Sequence, residues 1–282
     1  MLRTRHQPTR LLGVDDVDDA LDLCARDPAA NVYVASRILD GGLGLGSTAA
    51  QGVFDDGRLQ AFVWTIANVI PVGTSAASWG PLGTQVRKVR RRCASFLGPR
   101  EEVLGLWDET RTAFQRPRAV RPDQPLMATR TPPSQLGFAV DERVRQATLD
   151  EVDLVLPAAE HMFTHEIGYP PYTGSPSFYR DSIWRLIRQG RTYVVVEDGR
   201  VVFKADIGSV AFDTCQVQGV WLTPEQRGRG LAAGYMASVL EQAMADHAPF
   251  VTLYVNDFNA PALATYERIG MERIGTFATI LF

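Results

Sequence analysis

The sequence predicts an α/β protein made of two copies of one plan, each a mixed sheet flanked by helices. Two local echoes and a shared order of elements carry that expectation. TRLLGVDDVDDALDLCARD, from Thr9 to Asp27, is echoed by VRQATLDEVDLVLPAAEHM, from Val144 to Met162. In each, a strand-like run precedes acids (Asp15, Asp16 and Asp18; Asp150, Glu151 and Asp153) placed where a helix N-terminus favours negative charge. The second echo pairs AAQGVFDDGRLQAFVWTI with TYVVVEDGRVVFKADIGSV. Both set Asp-Gly between apolar, β-branched runs, the strongest short-range hairpin signal. The order strand, helix, helix, hairpin thus occurs twice, and helices alternating with strands around a hairpin imply a helix-flanked mixed sheet.

The elements follow in order. In the first copy the strand TRLLG leads to the acid-capped helix, a second helix over NVYVASRILD, and the hairpin around Asp56-Gly57-Arg58. A helical TQVRKVRRRCA, a strand ASFLG, a helix REEVLGLWDETRTAF and a closing strand QPLMATR complete it. In the second copy SFYRDSIWRLIRQ is the second helix and the hairpin turns at Asp198-Gly199-Arg200. Val217 to Leu222 then forms an apolar strand, followed by a helix from Gly230 to about Asp246, a strand FVTLYV, a helix from Ala260 to Ile269 and a closing strand GTFATILF. TRTPPSQLGFAVDE, with Pro132 and Pro133, reads as the linker, which places the domains at residues 1–138 and 139–282.

Composition narrows the function. Apolar residues make up 45% and charged residues 22% of 282, the balance of a globular protein, and a net charge of -3 opposes a nucleic-acid partner. The basic run Arg87-Lys88-Val89-Arg90-Arg91-Arg92 accordingly reads as the solvated face of an amphipathic helix. Cys24, Cys93 and Cys215 are too few and too scattered for a disulfide framework or paired metal ligands. Neither a signal-peptide core in MLRTRHQPTRLLG nor a membrane-spanning run is present, so the expectation is a cytoplasmic protein with no membrane partner.

The stretch VQGVWLTPEQRGRGLAAGYM, from Val217 to Met236, carries the chemistry. Pro224 ends the strand, and Leu231, Tyr235, Val239 and Ala243 begin a helical stripe. Arg227-Gly228-Arg229-Gly230 is therefore a strand-to-helix turn. Its glycines admit close approach of a ligand, and the first N–H groups of the helix form an anion site. No Gly-Lys-Ser/Thr follows, and the three-glycine dinucleotide spacing is missing.

The turn matches R-x-x-G-x-G/A at Arg227, Gly230 and Ala232, and the chain closely resembles the GNAT superfamily of acetyl-CoA-dependent N-acetyltransferases. Asn256, Asn259, Tyr266 and Gly270-Met271 extend the likeness, with Met where the superfamily ends in Phe. Residues from about Val144 to Phe282 carry these motifs, and the first half is similar to a degenerate copy, as in tandem actinobacterial proteins including the mycothiol synthase pattern. The resemblance implies two tandem GNAT-like acyl-CoA N-acyltransferase domains. It implies that backbone N–H groups of Arg227, Gly228, Arg229, Gly230, Leu231 and Ala232 bind the pyrophosphate of acetyl-CoA. It further implies that Val220, Trp221 and Leu222 hold the pantetheine arm and acyl carbonyl, that Asn259 reaches the cofactor, and that Tyr266 protonates the departing thiolate.

Acetyl transfer needs a neutral amine, and an amine of pKa ~10.4 held protonated at pH 7 costs on the order of 4–5 kcal/mol, so a base is expected. Many relatives in this superfamily carry a glutamate on the strand entering the signature turn; here that strand offers Gln218. Glu166 and Asp206 remain, with Glu166 favoured because the loop after the first helix lines the acceptor site in this superfamily. Nearby Tyr169, Pro170, Pro171 and Tyr172 suggest an acceptor wall, and His161 and His165 lack the order of a metal motif.

PVGTSAASWGPLGTQ, the counterpart of the signature turn in the first half, lacks R-x-x-G-x-G/A, so one acetyl-CoA site per chain is expected. The function expected is transfer of acetyl to a primary amine of a small molecule or peptide, by a chain that can pair as a homodimer. The alternatives are a mycothiol-synthase-like acyltransferase acting on a thiol-precursor amine and a non-catalytic acyl-CoA sensor.

Overall fold

The computed structural model describes residues 9–282, so the first eight residues of the basic N-terminal segment lie outside the described residues. Along the chain come β1 (Thr9–Leu11), α1 (Val17–Ala25), α2 (Pro28–Arg37), β2 (Ala50–Asp55), β3 (Arg58–Trp64), β4 (Asn68–Val72), α3 (Ala76–Val89), β5 (Ser95–Pro99), α4 (Arg100–Thr110) and β6 (Ala119–Thr129). The same order follows again in β7 (Arg145–Gln146), α5 (Val152–Ile167), α6 (Ser177–Arg188), β8 (Thr192–Glu197), β9 (Arg200–Ala211), β10 (Thr214–Leu222), α7 (Leu231–Asp246), β11 (Phe250–Tyr254), α8 (Ala260–Arg268) and β12 (Glu272–Leu281). The two-copy plan is therefore present element for element.

Packing divides the chain into two compact units. One holds the described residues up to Met127 with Tyr254–Asn259 and Arg273–Phe282; the other holds Ala128–Leu253 and Ala260–Glu272. Neither unit is contiguous, so the packing units do not coincide with the stretches 1–138 and 139–282.

In the first unit β1 to β4 pair antiparallel in sequence order and β5 joins β4 in parallel. Beyond β5 lies β12, antiparallel from Phe277↔Pro99 to Leu281↔Ser95, with β6 on its other side. A core cluster joins Leu82 and Val86 of α3 and Val103 and Leu106 of α4 to Val53, Val63 and Phe96, and it takes in Ala278 and Ile280 of β12. The second unit repeats the pattern: β7 to β10 are antiparallel and β11 joins β10 in parallel. Its core joins Val155 and Ala159 of α5 and Ile183 and Ile187 of α6 to Val194, Val201 and Trp221.

Both hairpins turn as Asp-Gly dictates, with φ of 46° and 80° at Asp56 and Gly57, and 49° and 71° at Asp198 and Gly199. Positive φ at both central residues is the turn whose twist matches the strands. The acidic echoes share a further device that spacing alone leaves unread. Arg10 pairs with Asp16 through both terminal guanidinium nitrogens, and Arg145 does the same with Glu151. Each acid also accepts a backbone N–H at its helix start, from Gly13 and Thr148 at 2.9 Å.

The Arg145 hydrogen bonds, before any other cause, pull Glu151 down to about 2. A carboxylate depressed in the folded state adds stability above its ordinary pKa and loses it as pH falls through the folded value. Because Arg145 is half exposed, Arg145→Met is expected to cost only about 1 kcal/mol at pH 7. Denaturant midpoints measured from pH 7 down should show that difference fading between about pH 4.5 and 2.

Two expectations are corrected by the fold. The first copy contains β4, and α3 begins at Ala76, eight residues before the expected TQVRKVRRRCA, and stops at Val89, before Arg90 to Cys93. Ser75 and Ser78 cap that helix reciprocally, and Pro81 sits inside it. The exposed Lys88, Arg90, Arg91 and Arg92 are solvated as expected, above buried Val86 and Val89.

Candidate active site

The site begins with an irregularity in β10. Its register with β9 runs Gln218↔Asp206 and then Trp221↔Lys204, so two residues of β10 oppose one of β9. Gly219, inside this bulge, has φ 60°, a left-handed conformation that glycine adopts without strain. The parallel ladder from β10 to β11 ends at Gln216↔Thr252, whereas β10 continues to Leu222. The end of the strand, with Val220, Trp221 and Leu222, thus extends past its ladder with β11, while Trp221 and Leu222 stay paired with β9.

Thr223 to Arg227 then turns through a short 3-10 segment, Pro224–Gln226, and Arg227 Nε donates to Leu222 O at 3.0 Å. Gly228 and Gly230 take φ of 72° and 78°, and Gly230 caps α7 with no side-chain hydrogen bond. A Cβ placed on either glycine would meet nothing within 4 Å. An uncapped helix start with open space before it leaves its first N–H groups, from Leu231 on, facing room for an anion, and exposed Arg227 and Arg229 add positive charge.

The counterpart in the first unit is filled ahead of its helix by a side chain of another helix. Glu102, in the first turn of α4, accepts from Thr74 N at 2.6 Å and Thr74 Oγ1 at 2.9 Å, beside the Ser75/Ser78 capping pair. Burial raises the Glu102 carboxyl pKa, and the Thr74 hydrogen bonds oppose that rise. The N–H groups of Thr74 and Ser75, just ahead of this helix, are therefore met by the protein's own side chains.

Tyr266 lies on α8, 6% exposed. Burial raises its pKa well above the phenol range, and the Glu166 carboxylate raises it further. Glu166 sits exposed in the last turn of α5, which ends at left-handed Gly168. The same half of α5 walls an open cleft of about 480 Å³ with Glu160, His161, Thr164 and His165 on one side and Pro170, Pro171 and Tyr172 of the following loop on the other. Tyr172 donates its hydroxyl to Glu160, and the His161 ring lies 6.2 Å from the Trp221 ring. The second unit thus puts the candidate base within electrostatic reach of the phenol, and the same helix meets the strand end through His161. Asn259 precedes α8, its N–H bonded to Asn256 O at 2.9 Å, and packs with the first unit.

Asp206, the other base considered, is 3% exposed and bound to Lys204, itself 0% exposed. An acid engaged in this way is not open to a substrate amine. Glu160 and Lys204 were missed as site residues. Glu160 gave no signal beyond an acid on the helix before the loop, but Lys204 and Asp206, two apart in the apolar strand VVFKADIG, share a strand face and could have been read as a pair.

Comparison with known proteins agrees with this architecture. Residues 159–271 match the model described as Acetyltransferase (GNAT) family, and residues 48–155 match Domain of unknown function (DUF4081). The chain is 31% identical over 122 residues, 42% of its length and 71% of the relative's, to Uncharacterized N-acetyltransferase YjgM of Escherichia coli (strain K12). Among solved structures, a GCN5-related N-acetyltransferase from Sphaerobacter thermophilus superposes with TM-score 0.63 at 18% identity, covering 97% of this chain and 94% of its own. A tandem GNAT protein from the clavulanic acid biosynthesis pathway gives TM-score 0.55 at 15% identity, covering 96% and 98%.

Proposed function

Because the chain belongs to the GNAT acetyltransferase family, we propose that it transfers acetyl from acetyl-CoA to a primary amine of a small molecule or peptide, using the residues of its second copy, 139–282. The observation that carries this reading is the uncapped start of α7 behind a bulged strand, with open space at Gly228 and Gly230. These residues fit a diphosphate: backbone N–H groups from Arg227 through Ala232 would hold it at the positive end of the helix dipole. The backbone of Val220, Trp221 and Leu222, past the end of its ladder with β11, would carry the pantetheine arm and orient the acyl carbonyl.

Bound acetyl-CoA would supply an activated acyl thioester. The remaining work falls to this chain's side chains. Among the described residues, the lining of the cleft beside Trp221 carries Glu160, His161, Thr164, His165 and Tyr172 and no lysine or arginine, which suits an incoming amine. Glu166 would take the amine's proton directly or through water, and Tyr266 would hold a proton at its hydroxyl for the departing sulfur. A phenol is protonated at neutral pH, as this role requires, and burial with the nearby Glu166 keeps the proton on Tyr266.

Calorimetric titration with acetyl-CoA is expected to give one site per chain, and coenzyme A release should follow with at least one member of an amine panel. Two sites per chain would remove the assignment to the second copy alone. Binding without release by any amine would replace catalysis by an acyl-CoA sensor.

A further inference from the structure

Beneath the bulge of β10 lies an ion pair that the chemistry above does not use. Lys204 and Asp206 stand on one face of β9, flanked in sequence by buried Phe203, Ala205 and Ile207. The Lys204 ammonium donates to the Asp206 carboxylate, Thr192 Oγ1 donates to the other carboxylate oxygen at 2.9 Å, and Lys204 Nζ also reaches Gly219 O at 3.4 Å. The bulge sits directly on the pair: a Cβ at Gly219 would lie 2.9 Å from Asp206 Oδ2, 3.1 Å from Lys204 Nζ and 3.3 Å from Met162 Cε of α5.

Stability does not account for such an arrangement, because apolar residues of similar volume commonly serve a core as well as a buried ion pair. What the pair offers and an apolar replacement lacks is a charged donor aimed at a carbonyl inside a bulge, where the ladder is interrupted. Gly219 is the residue that lets the backbone come this close, and Val220 follows it directly.

We propose that the buried Lys204–Asp206 pair is a positioning element for acyl transfer: by holding Gly219 O it fixes the bulge, and with it the Val220 backbone on which the acyl carbonyl depends. The inference rests on the reading of β10 as the strand that carries the thioester. Neither residue touches the substrate; both act through the strand. The pair therefore governs turnover more than cofactor affinity, since the diphosphate is held by the separate turn at Arg227 to Ala232.

The test is the full chain with Lys204→Met and Asp206→Leu together, which removes both charges and leaves no unpaired one. A cooperative melt should persist. Hydrogen exchange in the peptide covering Gly219 to Leu222 should accelerate at least tenfold, kcat should fall at least tenfold, and the Kd for acetyl-CoA should stay within about twofold. A folded double variant with wild-type kcat, or with unchanged exchange at the bulge, overturns the inference. If the double variant does not fold, Gly219→Ala decides: it forces a Cβ against the pair, and wild-type kcat in that variant overturns the inference equally. Failure of the wild-type chain itself to bind acetyl-CoA or release coenzyme A would instead remove the acetyltransferase reading and the inference with it.

Discussion

A chain lacking Glu272–Phe282 is expected to lose the fold of its first unit, although none of the deleted residues belongs to the first copy in sequence. The deletion strips β5 of its antiparallel neighbour along Phe277↔Pro99 to Leu281↔Ser95. It removes the buried side chains of Phe277, Ala278 and Ile280. It also removes Phe282, whose ring stacks on Phe114 at 5.2 Å in a cluster with Phe96 and Trp107. Inside the unit, Thr279 donates to Gln124 at 2.6 Å and Gln124 donates to Asn256 at 2.9 Å, so a buried polar chain breaks as well. At about 1.5–3 kcal/mol for each large apolar side chain and about 1 kcal/mol for each lost hydrogen bond, the total is on the order of 5–10 kcal/mol. That rivals the whole stability of a domain, about 5–15 kcal/mol. Protease digestion should degrade residues up to Met127 rapidly in the truncated chain; resistance equal to that of the full chain would contradict the strand's role.

Tyr266→Phe is expected to lower kcat by about 10²-fold or more, the range for loss of a positioned acid, while the Kd for acetyl-CoA stays within about twofold. The substitution keeps the buried ring and removes only the hydroxyl, so stability should change little. The pH profile adds a second reading. Burial first, and then Glu166, raise the phenol, and the proton-bearing form persists below that raised value. Wild-type kcat should therefore hold through the ordinary phenol range near 10 before falling. In Glu166→Gln the second cause disappears and the basic limb should move to lower pH. Wild-type kcat in Tyr266→Phe would leave the acid to another group.

Much of the architecture was legible because its signals are local and sterically strict. Asp-Gly demands a turn with two positive φ values, and both hairpins form there. The proline-stopped strand, the Gly-Arg alternation and the small-residue stripe placed the helix start at Gly230, the residue that caps α7 before its first residue Leu231. PVGTSAASWGPLG misled because its prolines and glycines read as turn, whereas α3 begins inside it. There Gly83 lets the helix lie against Glu109 and Thr110, and packing overrides propensity. The strand partner of β12 was not legible at all, since an apolar run such as Phe277 to Leu281 has the same pattern whichever sheet receives it. At the site, the anion turn follows from backbone rules. The Lys204–Asp206 pair depends on which strand faces meet, and Glu160 depends on the path of the loop that brings Tyr172 to it.

The pairing of β12 with β5 also sets a timetable. Phe277 and its partner Pro99 are 277 − 99 = 178 residues apart, and a ribosome adding about 5–20 residues per second takes roughly 9–36 s to cross that interval. Throughout it β5 has been made and its neighbour has not, so the nascent first unit presents an open apolar edge of the kind that invites pairing with a stranger. The half that is made first is the half that finishes last, and its safe passage depends on how quickly the second half is delivered.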